Sequence, residues 1–376
     1  MLEITNQTDV SQNNQPSHPA LHFKRHFGIP VDSLNDDILS ILNKIDYILN
    51  EKYRSATIPL FAKIPFIHPH VIPAGIRRSV SRIVKRRKKQ PDSGDFPAFP
   101  IDFTVDNLRN ELKERFFPDV TAVPYWPDGK KCAAVLSHDV DSDLIFNNKD
   151  ILDTFLSIEE KNGFRSAWYF VSDKYPLDHD IISGIKERGH EVGFHGDKHD
   201  YRLPYLKKTQ MVRRLDRCRW FLDKYEVSGG RSPLFLRTPL FLETISDYLE
   251  YDTSFHDTTI GSLTGLSEGC CSCFPFFIGD LLEIPTTITE EFILADRGYN
   301  ADGIMEVQLN KLEKIRELSG IAHVLTHPEP HLSANEKGFA IYDKFLKTCS
   351  ARSDIWITLP AELNRHWRRR DKTISA

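Results

Sequence analysis

Two aspartates, three histidines and an arginine stand at places in this chain where chemistry could be done. Asp139 and Asp141 follow directly on the apolar run at 132–137. Two carboxylates at a strand end are costly to bury without a partner, so a metal ion or a cationic side chain is expected beside them. A second run, 190–195, leads into His195-Gly-Asp-Lys-His199. Histidines spaced i, i+4 meet on one face of a helical turn and can share a divalent ion. Gly196 occupies the glutamate place of the H-E-x-x-H signature, so this is not that motif. With a carboxylate from another strand end, the pair makes a two-histidine, one-carboxylate set with open coordination positions. Such a set suits zinc first, and also iron or cobalt. A third run, 321–326, delivers His327, an imidazole able to act as general acid toward a departing nitrogen. Arg237, in Arg237-Thr-Pro239, ends a further short apolar run and offers a fixed cation to orient a carboxylate. Taken singly, each has an ordinary explanation as a turn cap, a core histidine or a surface ion pair. Their convergence on strand ends carries the metal reading.

The elements that must position them alternate. Apolar, β-rich runs at 132–137, 166–171, 190–195, 281–284, 321–326 and 355–358 are separated by helical patterns at 150–161, 180–188, 206–224, 301–318 and 336–349. Strands separated by helices of this length imply an α/β fold of parallel strands with crossover connections, either a β/α barrel or a doubly wound sheet. In both, the C-terminal strand ends form the functional face. No glycine-rich phosphate loop follows the first strand, which weighs against nucleotide binding.

Upstream, residues 1–30 are rich in Asn, Gln, Ser and Pro and read as a disordered tail. Leu34, Ile38, Ile41, Leu42, Ile45, Ile48 and Leu49 then form one apolar helical stripe. A proline-interrupted stretch follows. Residues 76–89 combine Ile76, Val80, Ile83 and Val84 at helical spacing with eight Arg and Lys residues. This segment fits either a basic face docked on its own protein or a peripheral contact with an anionic membrane. The expected organisation is a tail at 1–30, a mainly helical and basic extension with a linker at 31–130, a barrel at 131–366 and a C-terminal tail at 367–376.

At 376 residues with a formal net charge of −4, the chain gives no reason to expect nucleic acid as a partner. The polar start, Met1 to Pro19, shows no apolar signal region, and no stretch approaches the roughly 18 uninterrupted apolar residues of a membrane span. A cytoplasmic protein, in part peripheral on the inner membrane face, is the expectation, with its six cysteines as thiols. Cys270, Cys271 and Cys273 cluster without a second pair at zinc-finger spacing and read as an ordinary loop.

In this order the strand ends resemble those of the polysaccharide deacetylase family, also called the NodB-homology or carbohydrate esterase 4 group, over about 131–365. Arg188-Gly-His-Glu-Val-Gly-Phe-His195-Gly-Asp-Lys-His199 resembles the second motif of the family. Leu236-Arg237-Thr-Pro239 is similar to the third, Tyr251-Asp252-Thr-Ser254 to the fourth and Leu325-Thr-His327-Pro328 to the fifth. The resemblance implies a distorted β/α barrel that hydrolyses N- or O-acetyl groups from a glycan or a lipid-linked sugar. It further implies one divalent ion held by Asp141, His195 and His199, with Asp139 as base held by Arg237 and His327 as acid. The family's first motif has adjacent aspartates, whereas Val140 intervenes here, and the opposite allocation of Asp139 and Asp141 stays open. Leu240 stands where the family has a tyrosine whose backbone N–H faces the oxyanion. Two other readings compete: a hydrolase of non-sugar amides on the same barrel, and a catalytically silent barrel that binds a glycan or a protein.

Overall fold

In a computed structural model of the chain, the structure describes residues 19–29, 35–52, 96–259 and 269–375. The basic stretch 76–89 lies outside them. The centre is a sheet in the order β6-β7-β5-β4-β3-β2-β1-β8, with β9 also on β1. The strands are β1 (Cys132–Val140), β2 (Ala167–Phe170), β3 (Glu191–Phe194), β4 (Gly229–Gly230), β5 (Tyr251–Asp252), β6 (Phe276–Ile278), β7 (Leu281–Glu283), β8 (Ile321–Thr326) and β9 (Ile355–Ile357). All pairings are parallel except the β6–β7 hairpin. Beyond β7 the chain reaches across to β8, where the amides of Thr287 and Ile288 donate to the His323 carbonyl. That contact draws the open edge toward closure and makes the sheet a distorted barrel, the alternative to the doubly wound sheet.

Every residue of β1 is buried, as expected of a strand with crossover helices on its outer face and the barrel interior on its inner face. Side chains alternate between faces along a strand. Ser137 and Asp139 therefore point into the barrel, while His138 points out beneath helix Lys149–Lys161 and meets Glu159 with Nε2–Oε1 2.6 Å. On β8 the same parity sends His323 inward to the Ser137 hydroxyl at 2.9 Å and Thr326 outward to His138 Nδ1 at 2.6 Å.

β4 is only two glycines long because neither position has room for a side chain. A Cβ on Gly229 would lie 2.1 Å from the Tyr251 ring, and one on Gly230 would lie 2.2 Å from the Phe194 carbonyl oxygen. So short and featureless a strand escapes any reading based on apolar runs, as do β5 and β6. The helix expected over 206–224 is in fact two, Lys208–Asp216 and Arg219–Tyr225.

The described parts of the two expected tails are helical. Within the supposed tail at 1–30, Pro19–Phe27 forms a helix that buries Phe23 and Phe27 against Leu42 and Leu112. At the other end, helix Pro360–Ser375 runs through 367–375 and buries Trp367 and Arg370. The Arg370 guanidinium donates to the carbonyls of His26 at 2.6 Å and Val123 at 3.0 Å, tying the two ends of the chain together. The extension is not separate from the barrel: Ile45, Ile48, Leu49, Phe103 and Val105 join the same apolar core as β1. Polar composition misled here because a few aromatic residues at helical spacing suffice to dock a short helix. Among the described residues, no helix is long and apolar enough to cross a membrane.

Candidate active site

The inward parity of β1 continues past its end, so Asp139 and Asp141 face the barrel mouth on the same side as Ser137. On β3, Gly193 faces inward with Tyr169 packed where a Cβ would sit, 2.1 Å from the ring. The same parity brings His195 inward at the strand end. His327 follows β8 with the parity of His323. Register aligns these ends: Val140 is level with Phe170, Phe170 with Phe194, Phe194 with Gly230, and His138 with Thr326.

Asp141 Oδ1 lies 3.2 Å from His195 Nε2 and 2.9 Å from His199 Nε2. One ligand atom from each of the three residues falls within 4.8 Å of the others. The two histidines do not share a helical turn as their spacing suggested. They lie on an irregular loop, brought together by left-handed backbone at Gly196 (φ +77°) and at His199 (φ +50°). Glycine takes this conformation without penalty, and a histidine tolerates it at modest cost. His195 Nδ1 bonds the Arg231 carbonyl at 2.9 Å, which turns Nε2 with its lone pair toward Asp141. Asp141 Oδ1 is buried with no hydrogen-bond donor, a position a cation would satisfy. The donor set thus fits a divalent ion.

Asp139 has different company. The Arg231 guanidinium holds it with Nη1–Oδ1 2.7 Å, while His195 Nε2 and His327 Nε2 stand 3.6 and 3.9 Å from Oδ2. Burial pushes the Asp139 carboxyl up, but Arg231, then His195 and His327, outweigh it and hold it below the usual carboxylate range. For Asp141, burial is likewise opposed and overcome by His199 and His195, leaving it well below that range. His327 Nδ1 faces Glu290 Oε1 at 2.9 Å. Burial lowers the His327 imidazolium, yet Glu290, followed by the two aspartates, lifts it to about 10.

The structure corrects one expectation, the pairing of Arg237 with Asp139. Arg237 does not touch Asp139. Its Nη1 donates to the carbonyls of Phe235 at 2.9 Å and Ser254 at 2.7 Å, its Nη2 pairs with Glu51, and its guanidinium lies 3.7 Å over the Phe255 ring. Arg231 does the work expected of it. The signal was present, since Arg231-Ser-Pro-Leu-Phe235 and Arg237-Thr-Pro-Leu-Phe241 repeat one pattern six residues apart. The first copy follows a glycine pair, which carries no strand pattern.

Leu240 lies in the first turn of helix Pro239–Ile245, where its carbonyl accepts from the Thr244 hydroxyl. The equivalent of the first copy, Leu234, is half-exposed with φ +54° in the turn that follows Arg231. Asp252 lies at the end of β5. Its carboxylate accepts from the Ser254 hydroxyl at 2.8 Å and amide at 3.1 Å, and burial raises it above the usual carboxylate range. Glu290 was not anticipated, because it stands in an irregular segment before helix Glu291–Asp296 with no motif around it.

Residues 128–248 match the family model described as polysaccharide deacetylase. No curated protein matches the chain. Among solved structures, the Puue allantoinase is 14% identical with a TM-score of 0.50, covering 68% of this chain and 96% of its own. A Mycobacterium smegmatis protein assigned as a polysaccharide deacetylase is 20% identical with a TM-score of 0.47, over 65% of this chain and 92% of its own. A Pseudomonas aeruginosa PAO1 protein with the same assignment is 13% identical with a TM-score of 0.49, over 68% and 96%. The barrel has the fold of the Puue allantoinase, and residues 128–248 within it carry the match to the polysaccharide deacetylase model.

Proposed function

We propose that this polysaccharide-deacetylase barrel is a metal-dependent hydrolase that removes N- or O-acetyl groups from a glycan or a glycan precursor. One observation carries the reading: the Asp141, His195 and His199 donor set opens beside a carboxylate held by an arginine and an imidazole held by a glutamate. Those three residues would hold a divalent ion, zinc first and iron or cobalt as alternatives. When bound, the ion supplies Lewis acidity toward the acyl carbonyl.

The protein groups supply the rest. Asp139, kept ionised by Arg231, takes the proton of the attacking water as its oxygen bonds to the acyl carbon. The turn at Ser232–Phe235 takes the place first assigned to Leu240, at the edge where negative charge develops on the former carbonyl oxygen. His327, kept protonated by Glu290, gives its Nε2 proton to the departing amine or alcohol as the C–N or C–O bond breaks. Asp139 is thus the base and Asp141 the ligand, because only Asp141 meets both imidazoles and only Asp139 meets the arginine. Asp252 acts at a distance, bracing the loop beyond β5.

Metal content of the purified protein tests this, with wild type compared against the His195→Ala/His199→Ala double variant. About one divalent ion per chain, lost in the double variant, is expected together with acetate release from acetylated glycans. No ion in the wild type after incubation with zinc, cobalt or iron would move the reading to a silent binding barrel. Residues 76–89 belong to this proposal as a peripheral contact with an anionic inner membrane face. Flotation with anionic liposomes that persists after those basic residues are neutralised would refute that part.

A further inference from the structure

The two imidazoles of the candidate centre are held in different ways. His195 follows directly on β3, and its Nδ1 is fixed by the Arg231 carbonyl. A ligating histidine is ordinarily oriented by such a bond through its second nitrogen. His199 lacks one: its Nδ1 is buried with no hydrogen-bond partner. The Tyr201 ring packs against this imidazole at 5.0 Å, which limits its tilt without fixing where Nε2 stands. The orientation of His199 therefore depends on the backbone that carries it.

That backbone belongs to no helix or strand. Gly196, His199 and Tyr201 have φ of +77°, +50° and +60°. Left-handed backbone is sparsely populated for His and Tyr, and it persists only where the surroundings over-determine it. On the side of β2, the amides of Ser172 and Asp173 donate to the carbonyls of Gly196 and Asp197 at 3.1 and 2.7 Å. Those bonds stop at Asp197, short of His199.

Arg214 completes the hold. It stands in the last turn of helix Lys208–Asp216, whose Met211 and Leu215 are anchored in the main core. Its Nε donates to Asp197 Oδ2 at 2.6 Å, and its Nη2 donates to Asp197 Oδ1. On Asp200, Nη1 meets Oδ2 at 2.9 Å and Nη2 meets Oδ1 at 3.0 Å. One guanidinium thus bridges the residue two places before His199 and the residue directly after it, with a pair of bonds to each. Asp200 also accepts from the Arg202 amide at 3.1 Å, which closes the turn on that side. Charge-assisted, paired bonds of this kind are short and directional. The planar fork that makes them is peculiar to arginine and is not reproduced by the point charge of a lysine.

We infer that Arg214 is a positioning residue for the metal centre: by clamping Asp197 and Asp200 it sets the left-handed backbone at His199 and so aims an imidazole that has no hydrogen bond of its own. The inference rests on the metal-dependent reading above and adds to it a residue that lies outside the ligand set.

The test is the Co2+ affinity of the full-length protein after chelation, read by competition with a chelating dye and by the visible absorption of the bound ion. Wild type, Arg214→Ala, Arg214→Lys, His199→Ala and the Arg214→Ala/His199→Ala double variant are compared at equal folded fraction. Arg214→Ala is expected to weaken Co2+ binding about 10- to 100-fold, as loss of a group supporting a ligand does, and to shift the absorption toward that of His199→Ala. Arg214→Lys keeps a cation between the two carboxylates, so it carries the test should Arg214→Ala fail to fold, and its affinity should fall between those of wild type and His199→Ala. Because Arg214 acts through His199, the double variant should bind no more weakly than His199→Ala alone. An arginine that merely supports the fold would add its own loss to that of His199, and such additivity overturns the inference. Wild-type affinity and absorption in both Arg214 variants would reject the clamp and keep the metal centre. A wild type that takes up no Co2+ would reject the metal-dependent reading itself, and the positioning role with it.

Discussion

Replacing Arg231 by glutamine probes the centre of the site, because this guanidinium is fully buried and pairs with Asp139 at 2.7 Å. At that separation and an effective dielectric of about 20, the gross attraction is about 6 kcal/mol. Desolvation of both ions takes back part of it. Removing one partner of such a pair costs about 3–5 kcal/mol, since the other is left buried and uncompensated. Glutamine keeps a donor but no charge, so Asp139 is expected to take up a proton and cease to act as base. Arg231 also donates to Ser137 Oγ, Thr286 Oγ1 and the Thr253 carbonyl, each at 3.0 Å, so the inner ends of β1, β4 and β5 loosen as well. The expected outcome is a denaturation midpoint lowered by the equivalent of about 3 kcal/mol or more, with activity per folded molecule down by about 10²-fold or more. Arg237→Gln is the control. It breaks a comparably buried cation away from Asp139, so stability should fall while acetate release per folded molecule stays near wild type. Both are read by acetate release normalised to the folded fraction from urea titration. If Arg237→Gln abolishes activity and Arg231→Gln spares it, the assignment of Arg231 is wrong.

Two further outcomes follow from buried charge. Glu290→Gln removes the carboxylate that lifts His327 to about 10. In the proposed mechanism His327 acts in its protonated form, so activity is expected to be lost as pH rises through its pKa. The basic limb of the kcat/KM profile should move to lower pH in the variant, and an unmoved limb would detach Glu290 from the proton donor. Glu159→Gln strikes the network beneath β1, where Glu159 meets His138 at 2.6 Å, Ser166 at 2.6 Å and Tyr342 at 2.9 Å. Burial raises this carboxyl, but His138 outweighs it and holds it below its ordinary 4.5, so its contribution is present above that pH and fades as pH falls below it. A loss of about 3–5 kcal/mol near pH 7 that shrinks toward pH 4 is expected from urea midpoints. A deficit independent of pH would show that the charge of Glu159 is not what stabilises the fold.

Much of this arrangement was legible in the chain, because strand ends leave a one-dimensional trace. The runs before Asp139, His195 and His327 are short, β-rich and mainly apolar, as buried parallel strands tend to be, and each leads into a polar segment. Alternation along each run then settles which of those polar residues face inward. What could not be read were contacts with no sequence separation rule. Arg231 and Asp139 are 92 residues apart and joined only by the order of the sheet. Glu290 reaches His327 from an irregular segment without any periodic signal. The choice between Arg231 and Arg237 turned on two glycines, whose lack of side chains is required by Tyr251 and Phe194 and therefore invisible until those residues are in place.

The amino-acid sequence by itself determined the parallel α/β architecture and the residues offered at the strand ends, since periodicity, strand length and parity are local properties of the backbone. Tertiary structure alone decided which arginine neutralises Asp139 and how a loop, not a helix, converges His195 and His199. It also decided that Pro19–Phe27 and Pro360–Ser375 pack as helices on the rest of the fold. Those outcomes depend on long-range packing and on the balance between desolvation and pairing, which no local pattern encodes.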